Sequence, residues 1–280
     1  MRLRTLAGHT SGIDWTIHEP AIPRALRPYI ASAAAYEERS AAAVTRLEVP
    51  ARRIAVLIET GAAIDVGGAR YTNGFVAGLG HPATRCRFAG TQAGVQMNLT
   101  LSGARALLDA PPFAIAGACW PLEAAIDDAP ALVGQIREGR TPAEALASLF
   151  RWAGRRLAGR PGAVRCESDR WGDAILRSAS LTEFARSLGM SHRRFVQHTR
   201  QETGLRPGTF RRLHRFERAC ASLARATSLA EAAISAGFAD QSHMSREVRH
   251  FTARTPRELQ RFLKAPLGAV VLSGSDSAAR

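Results

Sequence analysis

Residues 237–252, GFADQSHMSREVRHFT, bring two histidines, two arginines, an aspartate and a glutamate together in one short stretch. Two chemistries suit such a set: metal or acid–base work by the histidines, or a helix face that meets a polyanion. Spacing separates them. His243 and His250 are seven positions apart, so on a helix they share a side but stand about 10.5 Å apart along the axis, too far to hold one ion. His192 and His198 are six apart and diverge around a helix. Neither pair is accompanied by a carboxylate or nucleophile at a spacing that makes an acid–base device. The exposed groups of 240–252 are instead mainly donors. Arginine suits guanine O6/N7, glutamine suits adenine N6/N7, and serine adapts to either or to phosphate.

A helix used this way needs an element to carry it, and the flanking sequence supplies one twice. Ser180-Leu-Thr-Glu183 and Ser228-Leu-Ala-Glu231 are capping boxes. Leu181, Ala185 and Gly189 match Leu229, Ala233 and Gly237 at one offset; Phe195, Arg200, Thr203 and Pro207 match Met244, Arg249, Thr252 and Pro256 one residue further on. This internal duplication reads helix, glycine turn, helix, then a proline that opens the next helix. It is helix-turn-helix grammar over 180–204 and 228–252. In the first unit Phe195 is the core anchor, while His192, Arg193, Arg194, Gln197 and Arg200 lie on the exposed arc. In the second, Met244, Val248 and Phe251 face inward, and Gln241, Ser242, Ser245, Arg246 and Arg249 face out. A long helix over 207–225 joins the units, with Phe210, Leu213, Phe216, Cys220 and Leu223 on its buried face. Charge points the same way. Residues 173–265 hold 17 basic and 8 acidic side chains, while residues 1–172 hold 20 and 15. A basic excess gathered in one segment implies a polyanion partner, nucleic acid first.

The runs SLTEFARSLGMSHRRF, RQETGLRPGTFRRLHRFERA and SLAEAAISAGFADQSHMSREVRHFTARTPREL resemble the C-terminal DNA-binding region of AraC/XylS-type transcription regulators, over roughly residues 173–264. The resemblance implies two recognition helices set into successive major grooves of double-stranded DNA. Its base-reading positions carry over onto Arg193, Val196 and Gln197 in the first unit and Gln241, Ser242, Ser245 and Arg246 in the second. His192, Arg194, Arg200 and Arg249 are the candidate phosphate contacts, helped by the basic linking helix. The sequence departs from the family pattern at three places. Thr199 replaces an aromatic and Val248 a phenylalanine, which removes core volume. Ala253 replaces the glycine after the second recognition helix, where a left-handed backbone is needed.

The first half reads differently. TRLEVP, RRIAVLIET, ARYTNGFVAGL, TRCRFAG and AGVQMNLT, within 45–100, are apolar or alternating runs separated by glycine-rich turns, the pattern of a small antiparallel sheet or barrel. LSGARALLDA (101–110) reads as a short helix. TPAEALASLFRWAGRRLAG (141–159) reads as a longer one, with Thr141 its cap, Pro142 its first residue and Leu146, Leu149, Phe150, Ala153 and Leu157 its apolar stripe. GRPGAVRCESD (159–169) has linker composition. The expected class is therefore α+β: a β-rich N-terminal domain over 1–160, a linker over 161–172, an all-α tandem helix-turn-helix domain over 173–265 and a flexible tail over 266–280. The N-terminal run also resembles the sensor portion of such regulators, which implies a cupin-like barrel followed by dimerising helices, and a small-molecule effector.

The composition limits the alternatives. No apolar run is long enough to span a membrane, and the N-terminus lacks a secretory signal, so a cytoplasmic protein is expected. Cys86, Cys119, Cys166 and Cys220 form no CxxC pair, so no metal site is visible. No GxSxG, HExxH, P-loop or Rossmann fingerprint is present, so no cofactor and no enzymatic activity are expected. Two other readings stay open. One is a DNA-directed enzyme or thiol-based sensor, with Cys86 and nearby His81 as its reactive groups. The other is a protein-interaction domain whose helical half has lost DNA binding. His81, Tyr71 and Trp120 are candidate pocket residues. As a transcription activator the protein would also meet RNA polymerase and act as a homodimer.

Overall fold

A computed structural model describes residues 1–10, 12–159 and 167–264 of the chain. Nine antiparallel strands form one sheet: β1 (Leu3–Thr10), β2 (Ile13–Pro20), β3 (Ile30–Glu48), β4 (Ile54–Glu59), β5 (Ile64–Val66), β6 (Ala69–Tyr71), β7 (Gly74–Ala77), β8 (Thr84–Leu99) and β9 (Cys119–Pro121). The main path runs β1-β2-β3-β8-β4-β7-β9, and β5 pairs with β6 and β8. The sheet bends around a cavity lined from β2, β3, β4, β5, β7, β8 and β9. Among the described residues its end strands β1 and β9 do not pair, so the wall is open rather than a closed barrel.

The long ribbon of β3 and β8 is the frame. Its pairing runs from Ile30 opposite Leu99 to Glu48 opposite Thr84, with irregularities after Ile30 and after Ser40. β4, IAVLIE, is a continuous apolar run because it lies between β8 and β7 with both faces covered. The strands begin at Leu3, well before residue 45, where the alternation rule first finds them. β3 contains IASAAAYEERSAAAV, whose alanines and glutamates favour helix; pairing with β2 and β8 overrides that local preference.

Short helices follow the sheet: α1 (Leu101–Leu107), α2 (Pro112–Ile115), α3 (Leu122–Ala125) and α4 (Ala129–Arg137). α5 (Pro142–Ala158) starts where the capping box places it, with the Thr141 hydroxyl accepting from the Glu144 amide, 3.2 Å. The helical half is α6 (Glu167–Arg177), α7 (Leu181–Ser187), α8 (His192–Thr203), α9 (Pro207–Arg225), α10 (Leu229–Ala236), α11 (Gln241–Thr252) and α12 (Pro256–Lys264). α6 begins inside the stretch of linker composition. Trp171 and Ile175, four apart, turn inward there, and Ile175 is fully buried. The remainder of that stretch and the expected tail lie outside the described residues.

The two halves share their cores. Phe195 and Phe210 belong to the cluster of Ile30, Leu99, Leu107 and Trp152. Leu47 and Val49 belong to the cluster of Leu213, Phe216, Leu223, Met244 and Val248. Polar links cross as well. Arg52 donates to Glu217 through its backbone amide, 2.6 Å, and through its guanidinium. Phe262 of α12 lines the cavity of the sheet.

Candidate nucleic-acid interface

The duplication is visible at the level of single hydrogen bonds. α7 opens with the Ser180 hydroxyl accepting from the Glu183 amide, 3.3 Å, and α10 with Ser228 accepting from Glu231, 3.2 Å. The turns then pass through Gly189 (φ +62°) and Gly237 (φ +80°), a backbone region that costs any residue with a Cβ. α8 is capped by Ser191 on the Arg194 amide, and α11 by Asp240 on the His243 amide at 2.6 Å. Both second helices end alike. The Thr203 hydroxyl donates to the Thr199 carbonyl and accepts from the Leu205 amide; the Thr252 hydroxyl donates to the Val248 carbonyl and accepts from the Arg254 amide.

Each unit buries one face and frees the other. Phe195, Met244 and Val248 are buried, as their spacing predicts, and Phe251 is half-buried against Phe216, ring centroids 4.8 Å apart. His192, Arg193, Arg194, Gln197 and Arg200 on α8 are exposed, as are Gln241, Ser242, Arg246 and Arg249 on α11. Val196 is half-buried. Ser245 is half-buried too, and its hydroxyl donates to the Gln241 carbonyl, 2.8 Å, so it reaches outward mainly as an acceptor.

The arginines divide sharply. Among the described residues, Arg193, Arg194, Arg200, Arg246 and Arg249 have no side-chain hydrogen bond or ion pair to protein. Three arginines of the linking helix do have partners. Arg211 donates to the Ser178 carbonyl, Arg218 to the Ser235 carbonyl, and Arg212 pairs with Glu247 at 3.0 Å. Each of these three spends part of its guanidinium on holding the units together, and only Arg212 is paired with a carboxylate.

The histidines of the opening stretch pack on aromatic rings. His243 meets Phe238 edge-on at 5.2 Å, and His250 meets Phe251 at 5.0 Å. His198 meets Trp171 at 4.5 Å. Trp171 also answers the missing aromatic at position 199. Its ring packs against Phe184 and Phe195, and its Nε1 donates to the Thr199 hydroxyl, 3.1 Å, which donates on to the Phe195 carbonyl, 2.8 Å. Ala253 takes the left-handed conformation expected of it, φ +55°, the one residue other than glycine to do so among those described.

Residues 184–261 match a family model described as a helix-turn-helix domain. The chain carries an AraC-type helix-turn-helix domain at its C-terminal end. The match covers α8, α11 and most of α7. No curated protein sequence matches the chain. Among solved structures it is similar to ToxT from Vibrio cholerae, at 11% identity over 82% of this chain and 97% of that one, with a TM-score of 0.45. It is also similar to unsaturated fatty acid-bound wild-type ToxT from the same organism, at 10% identity over 84% and 95% of the two chains, TM-score 0.45.

The N-terminal cavity, about 110 Å³, is mostly apolar and carries a few polar groups. Arg46 is neutralised there by Glu38 at 2.6 Å and Glu48 at 3.1 Å. Arg53 also lines it, with no hydrogen bond or ion pair among the described residues; burial, then the adjacent Arg52, lowers its pKa. His81 lines it as well, its Nδ1 donating to the Pro82 carbonyl and burial lowering its pKa, which leaves Nε2 of the neutral ring as an acceptor. Tyr71 and Trp120 do not line this cavity; Tyr71 instead packs on Phe75, 5.2 Å between ring centroids. No helix among the described residues is long and apolar enough to cross a membrane.

Proposed function

We propose that the protein is a sequence-specific regulator of transcription that reads double-stranded DNA through α8 and α11. The observation that carries this reading is the unpartnered set of arginines on the two recognition helices. Five exposed guanidiniums without a protein partner, gathered on the outer faces of two duplicated helices, form a basic surface suited to a polyanion. Arg193, Val196 and Gln197 would meet base edges in one major groove, and Gln241, Ser242, Ser245 and Arg246 in the next, about one helical turn or 34 Å away. His192, Arg194, Arg200 and Arg249 would meet phosphates.

Residues 1–160 form the sensing and dimerising part in this reading, and 173–265 the DNA-binding part. The cavity fits a small, largely apolar effector bearing an acceptor or anionic group for Arg53. The further partners are a second copy of the chain and, for an activator, RNA polymerase in the cytoplasm. The thiols give little support to an enzyme or thiol sensor. Burial pushes Cys86 well above the ordinary thiol range and Cys119 up to about 11, so both are protonated and poor nucleophiles at neutral pH.

Selection from randomised duplexes with the intact chain, at two salt concentrations, tests the reading. One enriched site is expected, with affinity falling steeply as salt rises. Arg246→Ala should cost about 1–3 kcal/mol and relax preference at one base position. Recovery of random duplexes only would overturn the reading.

A further inference from the structure

The two recognition helices differ in what holds their ends. The last turn of α8 is gripped by the N-terminal half. Arg105 of α1 donates from Nη2 to the Gln201 carbonyl, 2.8 Å, and pairs with Glu202 at 3.2 Å. A cation at this end satisfies carbonyls that have no partner within the helix and complements the helix dipole. α1 is itself tied to the helical half. The Asp169 carboxylate accepts from the Leu101 and Ser102 amides, both at 3.0 Å, and Trp171, two residues on, donates to Thr199 in the middle of α8. α1, α6 and α8 thus form a closed ring of links: Arg105 to α8, Trp171 to α8, Asp169 to α1. α2 closes the other side. Phe113, 55% exposed, stands on the rim of the groove lined by Arg193, Gln197 and Arg200. α11 has no such grip; its ion-pair partner among the described residues is Arg212 of α9.

We infer that Arg105 is a positioning residue for DNA reading: from the N-terminal half it sets where α8 lies, and so which bases the first helix-turn-helix selects. The inference rests on the DNA-binding reading above. It gives the N-terminal half a direct polar lever on one of the two subsites, while the other meets that half only through the apolar cluster that Met244 and Val248 share with Leu47 and Val49.

The test is a randomised-duplex selection with the intact chain and its variants. Arg193→Ala and Arg246→Ala first mark the base positions read by α8 and by α11. Arg105→Ala is then expected to flatten preference about fivefold at the α8 positions and to leave the α11 positions as in wild type. Arg105→Lys, which keeps the charge without the planar fork, should restore part of that preference. A role in stability alone would lower both sets together. Arg105→Met, which keeps the apolar stem, decides the matter if the alanine variant does not fold. Unchanged α8 preferences, or equal loss at both sets, overturn the inference while leaving DNA reading intact. A wild-type chain that selects no site overturns both.

Discussion

The two helix-turn-helix units open on the same serine cap, turn through the same glycine and end their second helix on the same threonine, yet those second helices rest on different supports. α8 leans on parts outside the duplicated unit: Trp171 of α6 beneath its middle, Arg105 and α2 at its end. α11 leans on the linking helix, through Phe216 against Phe251 and Arg212 against Glu247, with Arg212 also 5.9 Å from the Phe251 ring centroid. Duplication has preserved the local hydrogen-bond pattern and left the supporting volume free to diverge. The lesson is that a repeat can be equivalent in sequence grammar and unequal in mechanics. Coupling to the N-terminal half is concentrated on one copy.

The largest effect expected from breaking this asymmetry is at Trp171. Removing the ring deprives Phe184, Phe195 and His198 of their common neighbour and leaves the buried Thr199 hydroxyl without its donor. Trp171→Ala should cost about 3–5 kcal/mol in urea unfolding. Base preferences of α8 should be lost before those of α11. A cost under about 1 kcal/mol would show that Trp171 is not the buttress of the first unit.

A smaller effect is expected at Gly204, which ends α8 at φ +78°. A Cβ there would lie 2.6 Å from the Ala116 Cβ and 3.0 Å from the Pro112 carbonyl oxygen. Gly204→Ala therefore combines a left-handed alanine with a collision against the N-terminal half, about 2–4 kcal/mol together. Adding Ala116→Gly should recover the part due to the Ala116 methyl and leave the backbone part and the tight approach to the Pro112 carbonyl oxygen. Full additivity of the two changes in a double-mutant cycle would mean that α2 does not press on α8.

How much of this was legible in the sequence follows from which forces are local. The caps at Thr141, Ser180, Ser228 and Asp240, the buried faces of α5, α9 and α11, and the duplication itself depend on neighbours a few positions apart, and these were readable. The strands between Leu3 and Val44 were not, because β3 has the composition of a helix and becomes a strand only through distant partners. The role of Trp171 was hidden by the glycine- and proline-rich residues before it, although a tryptophan followed four positions later by Ile175 is itself a sign of a buried helical face. The grip of Arg105 on α8 joins residues 96 positions apart. In a chain with arginines everywhere, nothing in its neighbourhood sets that one off. The same limit applies to the linking helix, where the carbonyl partners of Arg211 and Arg218 and the carboxylate partner of Arg212 lie 17 to 35 positions away.

The smallest effect completes the comparison from the other copy. Ala253 occupies the position that corresponds to Gly204 and holds the same left-handed conformation at φ +55°, exposed. Ala253→Gly should relieve the Cβ strain at no packing cost. Against that stands the larger entropy of a glycine in the unfolded chain, which leaves a gain of about 0.5–1 kcal/mol. Thermal melting should move upward by roughly 1–4 °C, with base preferences unaltered. A fall in melting temperature would mean that the alanine methyl has a packing role that the exposed helix end does not suggest. A gain at 253 beside a several-fold larger loss at 204, for opposite exchanges of the same two residues, would trace the asymmetry to what surrounds the two helix ends. The backbone is alike at both; only one of them has the N-terminal half pressed against it.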